Sequence, residues 1–316
     1  MIKGLYIILI SLFSLTVISC SSSSDTKTTT DNTTTTDNTS TSSSLYVAVG
    51  DSGTILTSSD GTSWTSRTSD TTNDLYAVTY GNDTFMTVGG DGTILTSADG
   101  ITWSARTSGT SKSLYVVTYG NSTFVTGGRL GIILSSSDGI TWTERTSGTE
   151  TDLYEVIYAN STFVVVGRPG TILTSTDGNS WTSRNSGSGT NLMGVNYGKS
   201  TFVTVGYSGT ILTSSDGITW TLRTSGTTEN LNGVTYGNGI FVTVGHKGNI
   251  LTSSDSNTWI SRTSGTSNDL YRVTFYTNTF VTLGTSGTIL TSSDGTSWTS
   301  KTSGTTQNLW GVTYKE

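Results

Sequence analysis

Histidine, cysteine and proline are almost missing from this chain, with one of each (His246, Cys20 and Pro169) in 316 residues. A lone cysteine excludes an intrachain disulfide and any thiolate-cluster metal site. A lone histidine excludes a His pair, and most metalloenzyme chemistry goes with it. Neither a metal nor a cofactor is expected. Charge is sparse as well: Asp, Glu, Lys and Arg make up 12% of the chain, against roughly 25% in an average globular protein, which argues against long helices and coiled coils. The net charge of −6 leaves no basic footprint for nucleic acid. What is abundant is Gly (38), Tyr (14), Trp (8) and small hydroxyl residues, a composition that favours an all-β chain.

A single long apolar run, residues 4–18, follows Lys3 and ends in Val17-Ile18-Ser19-Cys20. It is too short to cross a bilayer and has the layout of a secretory signal. Its last four residues resemble the bacterial lipobox, in which a small residue precedes a cysteine that is acylated and becomes the new N-terminus. Residues 1–19 therefore read as a lipoprotein signal peptide and Cys20 as the membrane anchor; the alternative is an ordinary signal whose cysteine is incidental. Acyl chains on Cys20 would hold the protein stably, at about 0.8 kcal/mol per buried methylene. Residues 21–44 are Ser, Thr, Asn, Asp and one Lys. Such a stretch cannot bury enough surface to offset its ordering entropy, so 20–44 reads as a disordered tether with a reach of about 25–30 Å. The expected location is the bacterial cell envelope, at the outer membrane or cell surface.

The rest of the chain repeats. Trp64, Trp103, Trp142, Trp181, Trp220, Trp259 and Trp298 are spaced 39 residues apart without an insertion, and so are Asp60, Asp99, Asp138, Asp177, Asp216, Asp255 and Asp294, each four residues before its Trp. Within one unit, four runs of β-branched and aromatic residues alternate with turn residues: A (75–80), B (84–89), C (92–97) and D (102–107). Four short strands in about 40 residues is the size of a propeller blade. The first unit lacks run A and begins inside run B at Leu45, while the chain finishes on an unpartnered run A, Leu309–Tyr314. The expected fold is an all-β, seven-bladed propeller over 45–316, with four-stranded antiparallel blades, closed when the C-terminal strand completes blade one and covers two exposed edges.

The stretch V-G-x-x-G-T-I-L-T-S-x-D-G-x-x-W, as in Val205–Trp220, resembles the Asp-box or BNR repeat of sialidase-like propellers, and in plan it is similar to the repeats of the Ycf48-like photosystem II assembly factors. The resemblance spans about 45–314. It departs in one respect: Asp and Gly are adjacent in six units, and Asp255-Ser256 stands in the seventh, where those families place a further residue after the Asp. The resemblance implies that the seven Asp are structural turn residues away from any active site. Their own chemistry agrees, since each can accept backbone N–H groups of the C–D turn while the Gly supplies its conformation. The cations three residues after each Trp, Arg67 to Lys301, are expected to be solvated charges on the outermost strand.

Positions at which the repeats disagree are the informative ones. The B–C turn carries Asp51, Asp91, Arg129, Arg168, Tyr207, His246 and Lys247, and the third residue of run A is Glu155 in one unit and Arg272 in another. B–C turns and D–A connections emerge on one face, so these nine residues form the candidate ligand-binding face, with Glu155 and Arg272 near the central channel as a potential ion pair. Tyr76, Tyr115, Tyr154, Tyr271 and Trp310 either add aromatic surface there or belong to the core between blades. Neutral drift on exposed turns is the competing account of the variation.

Two functions follow, beside a purely structural or antigenic surface role as a third. The first is a non-enzymatic, lipid-anchored, monomeric scaffold that binds a protein, peptide or glycan. The second is a sialidase-like glycoside hydrolase, which needs an arginine cluster and two carboxylates at a set separation. Arg129, Arg168 and Arg272 could supply the cluster, and Asp51, Asp91, Glu155 or the loop acids Glu150, Asp152 and Glu229 the carboxylates. The strict 39-residue spacing leaves no inserted loop to carry a catalytic group or exclude water, so binding is the expectation.

Overall fold

The computed structural model describes residues 44–316; the expected signal peptide, Cys20 and nearly all of the expected tether lie outside the described residues. Strands pair into seven four-stranded antiparallel sheets, and the A strands touch one another from blade to blade around a central axis. Blade two shows the plan: strand A is Leu75–Gly81, B is Thr84–Gly89, C is Ile94–Ser97 and D is Ser104–Arg106. Blade one is completed by Leu309–Lys315, which pairs with Leu45–Gly50 through Tyr46↔Tyr314 and Ala48↔Val312. The ring closes as the sequence demands, because both strands would otherwise leave unpaired edges.

Strands C and D are shorter than their runs in the sequence. Asp91 at φ +50 and Gly92 at φ +70 curl the chain out of the ladder before strand C begins. Strand D starts late because the N–H groups of Ile101 and Thr102 are drawn onto the Asp99 carboxylate at 2.8 Å each. The same arrangement recurs in every blade. A serine that ends strand C donates its hydroxyl to the Asp, as Ser97 does to Asp99 Oδ1 at 2.9 Å, and in the six units with glycine it also accepts the glycine N–H, as from Gly100, whose φ of +73 suits glycine. In the unit without glycine, Ser256 takes φ +62. The hydrogen bonds hold all seven carboxyls below the usual carboxylate range, Asp138 and Asp255 at about 2.

Strand B has both faces covered, so its apolar residues run on without alternation, and Phe85 and its equivalents are fully buried. The core lies between blades: Val164, Val166 and Ile172 of blade four meet Phe202, Leu212 and Trp220 of blade five. Each such side chain contributes about 1.5–3 kcal/mol on burial. The tryptophans that follow the Asp turns sit in these seams, and the indoles of Trp103, Trp220 and Trp298 donate to the glycine carbonyl of their own turn at 3.1–3.2 Å.

The outer cations are not simply solvated, contrary to the sequence expectation. Arg67, Arg106, Arg145, Arg184, Arg223 and Arg262 lie along the sheet, half-buried, with Nε donating to a strand C hydroxyl at 2.8–2.9 Å. The hydroxyl ten residues earlier is the diagonal neighbour in the register: Arg106 pairs with Ile94, and Thr96, two residues further along strand C, lies on the same face.

Blades are also clasped at the candidate face. The residue before strand A accepts, through its side chain, a backbone N–H from the B–C turn of the preceding blade: Ser52 N to Asp74, Leu130 N to Asp152, Ser208 N to Asn230, Lys247 N to Asp269 and Ser286 N to Asn308, at 2.8–3.0 Å. The pattern breaks at two seams. Between blades two and three the residue is Ser113, too short to reach, and between blades four and five the turn presents Pro169, which has no N–H.

Candidate functional site

An irregularity shared by all blades builds the site. In each one the A–B register slips between the first and third residues of strand A, leaving the second as the extra residue of a β-bulge. The first residue, Leu75 or its equivalent, stays fully buried, while the bulge re-aims the second side chain. The seven re-aimed residues are Tyr76, Tyr115, Tyr154, Met193, Asn232, Tyr271 and Trp310. Together with Tyr207, His246 and Arg272 they line a cavity of about 360 Å³ at the mouth of the channel.

Five of them form a continuous aromatic arc. Tyr271 stacks on Trp310 at 4.1 Å and 17°, Trp310 meets Tyr76 edge-on at 6.3 Å, Tyr76 meets Tyr115 edge-on at 5.5 Å, and Tyr154 follows at 6.0 Å. Such pairs favour one arrangement by about 0.5–1.5 kcal/mol each beyond area burial. Burial, first, raises the phenol pKa of all four tyrosines. Trp310 is fixed further: its indole N–H donates to Asp51 Oδ1, and Asn308 Nδ2 holds Asp51 Oδ2 at 2.8 Å.

The floor is a cross-channel tie. Arg272 of blade seven reaches to blade four, where Nη2 donates to the Tyr154 carbonyl at 2.9 Å and Nε pairs with Glu155 Oε2 at 3.2 Å; Nη1 donates to the Asn232 carbonyl at 3.1 Å. Gly194 and Gly233 make this possible. A Cβ on Gly194 would stand 3.0 Å from the Asn232 carbonyl oxygen and one on Gly233 2.9 Å from that of Tyr271, so only glycine lets these inner strands close in. Burial pushes the Glu155 carboxyl up from its ordinary value, and the guanidinium opposes that rise.

The nine residues of the expected face divide. Tyr207, His246 and Arg272 line the cup, with Asp51 and Glu155 bonded directly to cup residues. Arg168 pairs with Asp152 at 3.0 Å and Lys247 with Glu229 at 2.9 Å. Asp91 and Lys247 line separate grooves between outer strands. Arg129 is exposed and outside the cup. The anticipated Glu155–Arg272 pair forms. The five aromatics face the cup, so placing them in the core between blades is incorrect; strand alternation misleads there because the bulge breaks it. Met193 and Asn232 complete the ring, and their only sequence signal is their departure from the tyrosine of the other units.

The fold and site together define a seven-bladed β-propeller with an aromatic cup over a tied channel. No protein-family model and no curated protein matches the chain. Among solved structures it is similar to Ycf48 bound to a D1 peptide, at 19% identity and a TM-score of 0.61 over 73% of this chain and 82% of that one. It is likewise similar to Ycf48 from Cyanidioschyzon merolae, at 17% identity and a TM-score of 0.63 over 78% and 90%. The WD40 β-propeller domain of Doa1 aligns at 15% identity with a TM-score of 0.64 over 84% and 90%. These likenesses are of fold.

Proposed function

We propose that this protein is a non-enzymatic binding scaffold that holds a segment of a partner protein in its aromatic cup and is displayed on the bacterial cell envelope through acylated Cys20. The observation that carries the reading is the unbroken arc from Tyr271 to Tyr154 around a 360 Å³ cavity whose floor is tied shut. Preformed concave sites of this size, with few polar groups, are where ligands seat. Support for a polypeptide comes from the Ycf48 structure solved with a D1 peptide. Hydrolysis is disfavoured by the occupation of its parts: Arg168 is held by Asp152, and Arg272 and Glu155 hold each other.

The test is a peptide array and a glycoside panel offered to the fragment from Ser44 onward, with Tyr271→Ala/Trp310→Ala as the comparison. We expect peptides to be retained by the native fragment and lost by the variant, which should still melt cooperatively, at a Tm lowered by only a few degrees. Equal retention by both, or turnover of a glycoside, refutes the reading.

A further inference from the structure

The cup is chemically lopsided. After the pairs Arg168–Asp152, Lys247–Glu229 and Arg272–Glu155 are set aside, Asp269, Asp51, Asp74 and Asp91 have no cation partner among the described residues, and all four belong to blades seven, one and two, beside Tyr271, Trp310 and Tyr76. On the other side, with Tyr115 and Tyr154, stands Arg129, which has no carboxylate partner among the described residues. The field at the rings follows this division. Beyond the larger effect of burial, the charged groups acting on Tyr76 (Asp74, Asp51, Asp91) and on Tyr271 (Asp269, Asp51) are carboxylates alone, whereas at Tyr115 and Tyr154 the carboxylate of Asp152 is opposed by arginines, Arg129 and Arg168 at the first and Arg168 at the second.

Aromatic faces attract cations through their quadrupole, and a ring of carboxylates behind them strengthens the attraction without itself closing on the ligand. Asp51 is spoken for by Trp310 and Asn308, and Asp74 and Asp269 each spend one oxygen on a blade clasp. Their charge therefore acts through space while the rings make the contact. An acidic side chain would meet repulsion on this half of the cup, and a neutral apolar one would forgo the field.

Resting on the scaffold reading above, we infer that the Tyr271–Trp310–Tyr76 half of the cup seats a lysine or arginine side chain of the partner polypeptide. The repeats themselves provide the control for testing it. Where blades two and seven have Asp74 and Asp269 before strand A, blades six and one have Asn230 and Asn308, which make the same clasp through Oδ1. Asp74→Asn and Asp269→Asn thus remove charge in a geometry this protein already uses. Asp91→Asn keeps a residue tolerant of φ +50.

The experiment is calorimetric titration of the Ser44–Glu316 fragment with four short blocked peptides that differ only in a central Lys, Arg, norleucine or Glu, in wild type and in Asp74→Asn/Asp91→Asn/Asp269→Asn. We expect the Lys or Arg peptide to bind about tenfold tighter than norleucine and the Glu peptide weakest. In the triple variant the preference over norleucine should fall below about threefold with Tm held. If the triple variant does not fold, Asp74→Asn and Asp269→Asn singly carry the comparison, each expected to lower the preference. Peptide binding with no preference for the cation, a preference that survives charge removal, or choline displacing the Lys peptide more effectively than free lysine overturns this inference and leaves the scaffold reading standing. Absence of binding by any peptide overturns both.

Discussion

Replacing Arg272 by Met should cost this protein more than any other single change on the channel. The guanidinium donates to carbonyls of blades four and six and neutralises Glu155, and both side chains are shielded, at 21% and 17% exposure. Methionine fills much of the same volume but leaves the Glu155 carboxylate with only the Val156 N–H and takes the guanidinium donors from the Tyr154 and Asn232 carbonyls. Removing one partner of a buried pair typically costs about 3–5 kcal/mol. With an unfolding entropy of about 2.1 cal/mol/K per residue, a ring of this size should lose about 5–9 °C in Tm. The loss should also depend on pH. Burial raises the folded-state pKa of Glu155, and without the guanidinium it should rise further. A carboxyl with a raised folded pKa contributes stability at low pH that is lost as pH climbs through the unfolded and then the folded value. The gap between variant and wild type should therefore be wider near about pH 7.5 than near about pH 5. Glu155→Gln added to Arg272→Met should recover about 2 kcal/mol, because the orphaned charge is gone. Denaturant melts of the four proteins at both pH values provide the cycle. A loss under about 1 kcal/mol, or one that is the same at both pH values, would show that the tie does not hold the channel floor.

The blade clasps offer a stabilising change. Ser113→Asn should supply the bond missing between blades two and three by reaching Asp91 N–H, adding about 0.5–1.5 kcal/mol and a small rise in Tm by calorimetry; an unchanged or lower Tm would refute the geometry. The seven turn carboxyls are all depressed by backbone and hydroxyl donors, so their contribution is present above the ordinary aspartate value and lost as pH falls toward about 2. A Tm that declines steeply below about pH 4 is expected, and a flat acid limb would mean that the turns contribute little.

A great deal of this architecture is written in the chain as a period. Thirty-nine-residue spacing, four strand-like runs per unit and a missing strand at one end matched by a surplus strand at the other lead to a closed ring of seven blades, because every local segment is repeated and each unit can bury its faces only against its neighbours. The turn role of the seven Asp was legible for the same reason: a motif present in every blade answers a need that every blade has. Even the Glu155–Arg272 pair could be read, as two opposite charges at one inner-strand position.

The cup was not legible, and the cause is specific. Its side chains point as they do because a bulge shifts the register by one residue at the start of strand A, and Leu-Tyr-Ala-Val in sequence shows a strand entering but not where its ladder slips. Nor could spacing reveal that Arg67 and its equivalents fold back onto strand C, or that Asp74 belongs to the turn of another blade. Those are contacts between neighbouring strands or blades, fixed only when the sheets are wound about the axis. Sequence determined the repeating unit and its number, since each unit's hydrogen bonds are local. Tertiary structure decided which seven side chains meet at the centre, since only closure of the ring brings residues of blades seven and four within bonding distance.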